Sequence, residues 1–279
     1  MAHAHEHAAP KIQVIHATAP TCWWSWGYEA LFNRLPLVYG DQIDVQVMTG
    51  CVYANLEEYL KAYQLDEKGF QAWAAEGGQL MGVPIRTDYR LATLPKSVFP
   101  ATLATLAAQR QGPKATRFYR ALLRRFVVEG QDVTRNDVLL AAAQEAGLDA
   151  ARFQKDVADQ AGLQKAYQEQ MHAMHGAPVG FYNVAVSDGG RRMVVIEHAF
   201  DPREVEEAID WLSGGKLRKT QPTDVLGYLR HHGPAPLSEI QRAFSWTAEA
   251  AMQKVTALEK SGDARMVTLA GGSHWQAAR

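Results

Sequence analysis

The stretch "KIQVIHATAPTCWWSWGYEALF", residues 11 to 32, decides the fold. Apolar and polar residues alternate over its first seven positions, which predicts a β-strand. A turn follows, and from Cys22 onward the apolar residues have helical spacing. "IDVQVMTG" (43 to 50) predicts a second strand. Strand, helix and strand in this order favour a parallel pair with a right-handed crossover.

Composition narrows the class of protein. The chain has 279 residues, of which 47% are apolar, and carries 29 basic against 30 acidic residues. This balance gives no global electrostatic reason to bind nucleic acid or an anionic membrane. Residues 1 to 10 lack a signal-peptide pattern and no long apolar run occurs, so we expect a cytoplasmic protein without membrane contact. The alternating histidines of that tail offer no preorganised geometry, and no metal site is expected.

The middle of the chain predicts a helical insertion between strands. Ala, Leu, Gln, Glu and Arg dominate from about residue 55 to 175, with helical spacing throughout. "PVGFYNVAV" (178 to 186) and "RMVVIEHA" (192 to 199) then flank a Ser-Asp-Gly-Gly turn and predict a β-hairpin. A further helix is expected to begin at Asp201 and to end at Gly214.

The end of the chain predicts a small second domain. Residues 215 to 222 are basic and polar and indicate a linker. Residues 223 to 279 carry three helical segments and then two short strands, the layout of a winged helix. Its third helix, "TAEAAMQKVTALEK", has few side chains that could read DNA bases, so protein contact is favoured over nucleic acid. The larger domain would occupy residues 11 to 214, after the tail at 1 to 10.

Three segments resemble the DsbA-like family of thioredoxin-fold proteins, most closely its FrnE-type cytoplasmic branch. They are "APTCWWSWGYEAL", "FYRALLRRFVVEGQDVTRNDVLLAAAQEAGLDAARFQKDV" and "HGAPVGFYN", and the match covers roughly residues 11 to 213. The resemblance implies an α/β, thioredoxin-like (DsbA-type) fold with a helical insertion. It also implies thiol-disulfide oxidoreductase activity.

The resemblance places Cys22 at the family's nucleophilic cysteine, whereas Ser25 stands where the family has its second cysteine. A thiol at the start of a helix meets unpaired N–H groups and the positive end of the helix dipole, which lower its pKa. Ser25 is expected to hydrogen-bond the same sulfur. Serine cannot resolve a mixed disulfide, so the motif predicts a monothiol site. Its substrates would be disulfides or glutathione mixed disulfides, with glutathione as co-substrate and no tightly bound cofactor.

Two other interpretations of this motif stay open. Cys22 could be an inert buried residue in a domain whose redox function has decayed. If Ser25 replaced a cysteine of the natural protein, the motif would be Cys-Trp-Trp-Cys and the dithiol interpretation would return.

Four further residues are predicted to contact a substrate. Pro178, preceded by Ala177, matches the family's cis-proline, whose loop would hold the backbone of a peptide or of glutathione. Trp23 and Trp24 are candidate contacts for an apolar side chain. We expect Trp24 at the surface and Trp23 turned inward with Trp26, although three packing tryptophans are an equal alternative.

Cys51 directly follows the second strand. Neighbouring parallel strands share an edge at their carboxyl ends, so Cys51 and Cys22 should lie on the same edge of the sheet. Cys51 could therefore resolve a mixed disulfide in place of Ser25. A small buried hydrophobe is the alternative.

A non-catalytic interpretation competes with the enzyme. Protease adaptors of the YjbH type also join a DsbA-like domain to a C-terminal winged helix, and there the pair binds a client protein. A protein or peptide is the expected partner in both cases, and self-association into a homodimer stays open. Kappa-class glutathione transferases share the fold but carry serine at the first position, so Cys22 argues against them. A redox-sensing regulator that binds DNA is a weaker third interpretation.

Overall fold

The structure is a computed structural model that describes residues 11–176, 183–190, 192–197, 201–269 and 272–278, without the side chains of 174–176. The tail at 1 to 10 and the predicted substrate loop with Ala177 and Pro178 lie outside these residues. Over the described ranges, none of the helices combines the length and apolar character needed to cross a membrane.

A four-stranded sheet forms the centre of the larger domain, in the order β2-β1-β3-β4. β1 (Ile12–Thr18) pairs in parallel with β2 (Ile43–Thr49). On its other side, β1 pairs antiparallel with β3 (Val184–Ser187), which pairs antiparallel with β4 (Met193–Ile196). The parallel pair and the hairpin predicted from the sequence are confirmed.

Helix α1 (Trp23–Tyr39) makes the crossover between β1 and β2. Its buried residues lie on all sides of the helix, as expected for a helix that is covered all round. It ends at Gly40, whose φ of 60° suits a residue without a side chain.

Seven helices lie between β2 and β3 within the described chain, where the helical insertion was predicted. They are α2 (Leu56–Ala62), α3 (Glu67–Met81), α4 (Phe99–Gln109), α5 (Ala115–Val127), α6 (Asn136–Glu145), α7 (Ala150–Ala158) and α8 (Gln160–Gly176). Asn55, Asp66 and Asp149 cap three of them by accepting hydrogen bonds from backbone N–H groups. α4 and α5 are buried along most of their length and form the centre of the main core with the sheet and α1.

α9 (Pro202–Ser213) follows the hairpin and has the predicted ends. The Asp201 side chain accepts a hydrogen bond from the Arg203 N–H, and Gly214 ends the helix in the left-handed conformation with φ 66°.

The C-terminal segment has its own hydrophobic core. Its elements are α10 (Val225–His232), β5 (Ala235–Pro236), α11 (Leu237–Phe244), α12 (Ala248–Ser261), β6 (Ala264–Leu269) and β7 (Gly272–Ala277), and the sheet order is β5-β7-β6. Tyr228, Ile240, Phe244 and Trp275 fill that core. The three helices and the hairpin were predicted, whereas the short strand β5 was not.

Candidate functional site

Cys22 stands at the N-terminus of α1, at the carboxyl end of β1. Its backbone is extended (φ −103°, ψ 122°), and its carbonyl accepts a hydrogen bond from the Trp26 N–H at 3.3 Å, so it is the N-cap residue. The Cys22 N–H donates to the Ala19 carbonyl at 3.3 Å. The residue is buried, with 5% of its surface exposed. The sequence therefore located Cys22 correctly at the helix start, in a position with little access for a substrate.

Ser25 belongs to a buried cluster of three hydroxyl groups, here called the hydroxyl cluster (Thr18, Ser25, Tyr119). Thr18 Oγ1 donates to Ser25 Oγ and lies 2.7 Å from the Tyr119 hydroxyl. All three side chains are buried, and burial raises the pKa of Tyr119 well above its usual range. The hydroxyl of Ser25 thus helps to join β1, α1 and α5. Its predicted hydrogen bond to the Cys22 sulfur stays a prediction.

The tryptophans beside Cys22 divide between core and boundary. Trp23 is buried and packs edge-to-face on Phe70 and Trp73, with ring centroids 5.2 and 5.7 Å apart. Gly77 lies directly against it, since a Cβ there would stand 2.7 Å from Trp23 Cδ1. Trp23 is therefore a core residue and a poor candidate for the predicted substrate contact. Trp24 is half-buried against the main core rather than fully at the surface, and it keeps some exposed area.

An aromatic patch that the sequence reasoning missed lies beside these tryptophans. It consists of Tyr53, Tyr59, Tyr63 and Trp73, whose successive ring centroids are 5.4, 4.8 and 5.3 Å apart. Tyr63 is 58% exposed. Burial, and after it the nearby Cys22, raise the pKa of Tyr59, so this ring lies close to the cysteine. The i,i+4 spacing of Tyr59, on α2, and Tyr63, at its C-cap, was the signal that could have indicated it.

Cys51 lies at the same edge of the sheet as Cys22, as predicted. The register pairs Thr18 with Thr49, and the Gly50 N–H donates to the Thr18 carbonyl at 2.6 Å. Burial raises the pKa of Cys51 to about 11, against the opposing hydrogen bonds from Thr102 and Tyr53. Its thiol stays protonated at neutral pH, and only the thiolate attacks a disulfide. This chemistry speaks against the predicted resolving role and favours the buried-hydrophobe alternative.

A buried ionic network joins the larger domain to the C-terminal segment. Arg120 on α5 pairs with Glu29 on α1 at 3.1 Å and with Glu239 on α11 at 2.8 Å. All three side chains are at most 5% exposed. The Tyr228 hydroxyl donates to Glu239 at 2.5 Å, and Arg120 Nε donates to the His232 carbonyl at 2.7 Å. We call this set the interdomain network (Glu29, Arg120, Tyr228, Glu239).

The charges of this network do not cancel. One guanidinium faces two carboxylates, and burial together with the charge of Glu239 raises the pKa of Glu29 to about 7, although Arg120 acts in the opposite direction. Arg120 itself stays charged because the carboxylates raise its pKa. A proton therefore resides on Glu29 below neutral pH.

A second, largely buried ion pair connects α1 to a neighbouring helix. Arg34 on α1 pairs with Glu206 on α9 at 2.9 Å, and its Nη1 donates to the Ala243 carbonyl on α11 at 3.0 Å. The sequence signal for these contacts was weak. Three arginines in the otherwise apolar "FYRALLRRF" of α5 were the one indication of buried charge.

No group of three or more His, Cys, Asp or Glu side chains in the described part of the chain could hold an ion.

A family model described as "Thioredoxin" matches residues 17–177, more than half of the chain. The chain belongs to the thioredoxin family. Cys22 and the hydroxyl cluster residues Thr18, Ser25 and Tyr119 all lie within the matched segment. The thioredoxin-like domain thus includes the whole candidate site around Cys22.

Comparison with curated proteins gives a relative that spans both parts of the chain. The ClpXP adapter protein SpxH of Halalkalibacterium halodurans is 24% identical over 270 residues, which cover 92% of this chain and 86% of the relative. Residues 1 to 222 are too few to supply that coverage, so the similarity extends into the C-terminal segment.

Two solved structures each match about three quarters of this chain. The cytosolic disulfide reductase DsbM of Pseudomonas aeruginosa is 22% identical with a TM-score of 0.57, and the match covers 72% of this chain and 97% of that one. A probable DsbA oxidoreductase of Streptomyces coelicolor is 17% identical with a TM-score of 0.56, covering 77% and 94%. At these identities the comparison shows the fold alone, and it confirms the predicted DsbA-type thioredoxin-like fold.

Proposed function

We propose that the protein is a non-catalytic adaptor that holds a client protein and delivers it to the ClpXP protease. The observation that carries this proposal is the interdomain network. It fixes the C-terminal segment to α1 and α5, so that the two parts offer one continuous binding body. The similarity to a ClpXP adapter along both parts supports the same function.

The surroundings of the sulfur atoms favour binding over redox chemistry. Ser25 replaces the second thiol and is committed to the hydroxyl cluster. Cys51, the other cysteine of the chain, has a raised pKa. A thiol that attacks a disulfide here would lack an activated partner to release the mixed product.

The C-terminal segment would supply part of the client surface. We assign residues 223 to 279 to a winged helix, which the order helix, strand, helix, helix, strand, strand supports. The poverty of base-reading side chains in α12 supports a protein partner. Membership of the FrnE-type branch and a cytoplasmic location belong to the same proposal and rest on the sequence motifs.

The experiment that tests the adaptor function uses cells in which the gene has been deleted. Proteins that accumulate in the deletion strain and also when ClpX is inactivated are client candidates. Complementation with the wild-type chain or with Cys22→Ala should return these proteins to their normal levels. If Cys22→Ala behaves like the deletion, the adaptor proposal is wrong.

A monothiol oxidoreductase is the second candidate, and the position of Cys22 at a helix N-terminus favours it. Cys22 would attack a disulfide or a glutathione mixed disulfide, and glutathione would complete the cycle as co-substrate. The loop with Ala177 and Pro178 would hold the substrate backbone, beside Trp24. The rate of Cys22 alkylation against pH, in Cys51→Ala, tests this candidate. A sulfur that titrates well below about 8.5 and accepts glutathione supports the enzyme.

A further inference from the structure

The outer edge of β2 faces away from the other strands of the sheet. β2 is the terminal strand of its sheet, so one side of its backbone has no neighbouring strand among the residues that the structure describes. In a parallel strand, the N–H and C=O of one residue point to the same side, and successive residues alternate. Gly50 donates to Thr18 of β1, whereas Thr49 bonds to the side chain of Gln170 on the other side. Val45 and Val47, which share the parity of Thr49, therefore point their backbone groups outward.

Two glutamine side chains already act as partners for this edge. Gln109 Nε2 donates to the Val47 carbonyl at 2.8 Å. The Gln170 amide both accepts from the Thr49 N–H, at 3.3 Å, and donates to the Thr49 carbonyl, as the backbone of an added strand would. Among the residues that the structure describes, none bonds to the outward N–H and C=O of Val45. The edge therefore has unpaired backbone groups at Val45 within the described chain, whereas glutamine side-chain amides bond to it at Val47 and Thr49.

A large cavity lies along this open edge. It has a volume of about 1130 Å³ and is lined by residues 43 to 48 of β2, by the start of α5 and by residues 220 to 224 before the C-terminal segment. His16 also lines it, and both ring nitrogens of this buried side chain lack a hydrogen-bond partner. The edge therefore lies in a groove between the two parts of the molecule, here called the β2 cleft.

The charges of the β2 cleft are of one sign. Glu29, Asp44 and Asp224 line it, and the described lining residues include neither lysine nor arginine. Glu29 is matched by Arg120, but Asp44 and Asp224 are exposed at the mouth. A positively charged partner is favoured there, and a negatively charged one is repelled.

We propose that the β2 cleft binds an extended, basic segment of the client polypeptide, which adds to β2 as a further strand. The Val45 N–H and C=O would bond to the backbone of that segment, and lysine or arginine side chains would face Asp44. Strand addition of this kind uses main-chain hydrogen bonds for affinity and side-chain pockets for specificity. The inference rests on the proposed adaptor function and assigns the client's binding site.

The test measures binding of a fluorescein-labelled peptide of alternating Lys and Val by anisotropy, with a Glu-Val peptide of equal length as control. Val45→Pro removes the outward N–H, and proline is tolerated at an edge position of this kind. We expect it to weaken binding by about tenfold, the effect of one lost hydrogen bond. Asp44→Lys should weaken binding as well. Glu76→Lys, which makes the same charge change on the exposed face of α3, should not.

Amide hydrogen exchange gives a second measurement that needs no variant. The Lys-Val peptide should slow exchange of the Val45 amide and leave that of Gln46, which faces β1, unchanged. An unaltered Val45 amide, undetectable peptide binding, or equal binding by Val45→Pro would overturn the cleft proposal. Client proteins that still return to normal levels in such a case would leave the adaptor function standing. If the peptide protects the Val45 amide but no client protein is found in the deletion strain, the cleft proposal would stand and the adaptor function would be wrong.

Discussion

The N-terminus of α1 and its middle turns lie in very different surroundings. At the N-terminus, Cys22 is buried and Ser25 belongs to the neutral hydroxyl cluster. Further along the same helix, Glu29 and Arg34 form ion pairs with Arg120 and Glu206. Arg34 also donates a hydrogen bond to the Ala243 carbonyl in the C-terminal segment. In the first region, Cys22 and Ser25 stand where the sequence resemblance predicts the two active-site positions of the DsbA-like family, and that role stays a prediction. The second region uses the same helix as a joint between two parts of the molecule.

The largest effect is expected at that joint. Arg120→Met leaves two buried carboxylates without their guanidinium, so the free energy of unfolding should fall by about 3–5 kcal/mol. Urea denaturation measures this change. Arg135→Met, which breaks an exposed pair with Asp137, is the control and should leave the unfolding curve unchanged. Equal curves for Arg120→Met and the wild type would show that the network does not hold the two parts together.

The next effect separates the two tryptophans beside Cys22. Trp23→Ala creates a cavity among Phe70, Trp73 and Gly77 and should lower the free energy of unfolding by about 3 kcal/mol. Trp24→Ala removes a half-buried ring and should cost clearly less. Thermal and urea unfolding of the two variants measure the difference. A larger loss for Trp24→Ala would contradict the assignment of Trp23 to the core.

The ionisation of Glu29 gives a pH-dependent effect. Its pKa rises from 4.5 to about 7 on folding, so the native state holds a proton that the unfolded state releases within this window. The free energy of unfolding should therefore fall as pH increases from about 4.5 to about 7, by on the order of 3 kcal/mol. His16 and His232, whose pKa values burial lowers to about 3 and about 2, act in the opposite direction. The difference between the wild type and Glu29→Gln cancels their contribution, and a pH-independent difference would refute the raised pKa.

The smallest effect concerns reactivity alone. Burial raises the pKa of Cys51 to about 11, so iodoacetamide should alkylate it slowly at neutral pH and faster as the pH approaches that value. Cys22→Ala, followed by mass spectrometry, isolates this cysteine. Rapid alkylation with a midpoint near about 8.5 would return Cys51 to the resolving role.

Much of the thioredoxin-like domain could be predicted from local patterns. The alternation in β1, the helix start at Cys22 and the caps at Asp201 and Gly214 depend on residues that are neighbours in sequence. The parallel pairing of β1 and β2 followed from the order of the elements. These features can be inferred from residues close in sequence or from the order of the elements, and the structure confirms them.

The interdomain network could not be predicted in the same way. Arg120 meets Glu29 and Glu239 from 91 and 119 positions away. The apolar residues around Arg120 indicate a buried charge, but they do not indicate which distant carboxylates it meets. The aromatic patch was not predicted for a similar reason, because Trp73 joins Tyr59 and Tyr63 only after α3 has folded against α2. The raised pKa of Cys51 also depends on burial by distant elements.

The most direct test of the account is whether client binding depends on the sulfur of Cys22. Full-length wild type and Cys22→Ala would each be immobilised, and the client would be quantified after washing with and without dithiothreitol. The account predicts equal capture by both proteins and a complex that survives the reductant. Capture that is lost in Cys22→Ala, or released by dithiothreitol, would show that the protein works through a mixed disulfide and would contradict the adaptor function.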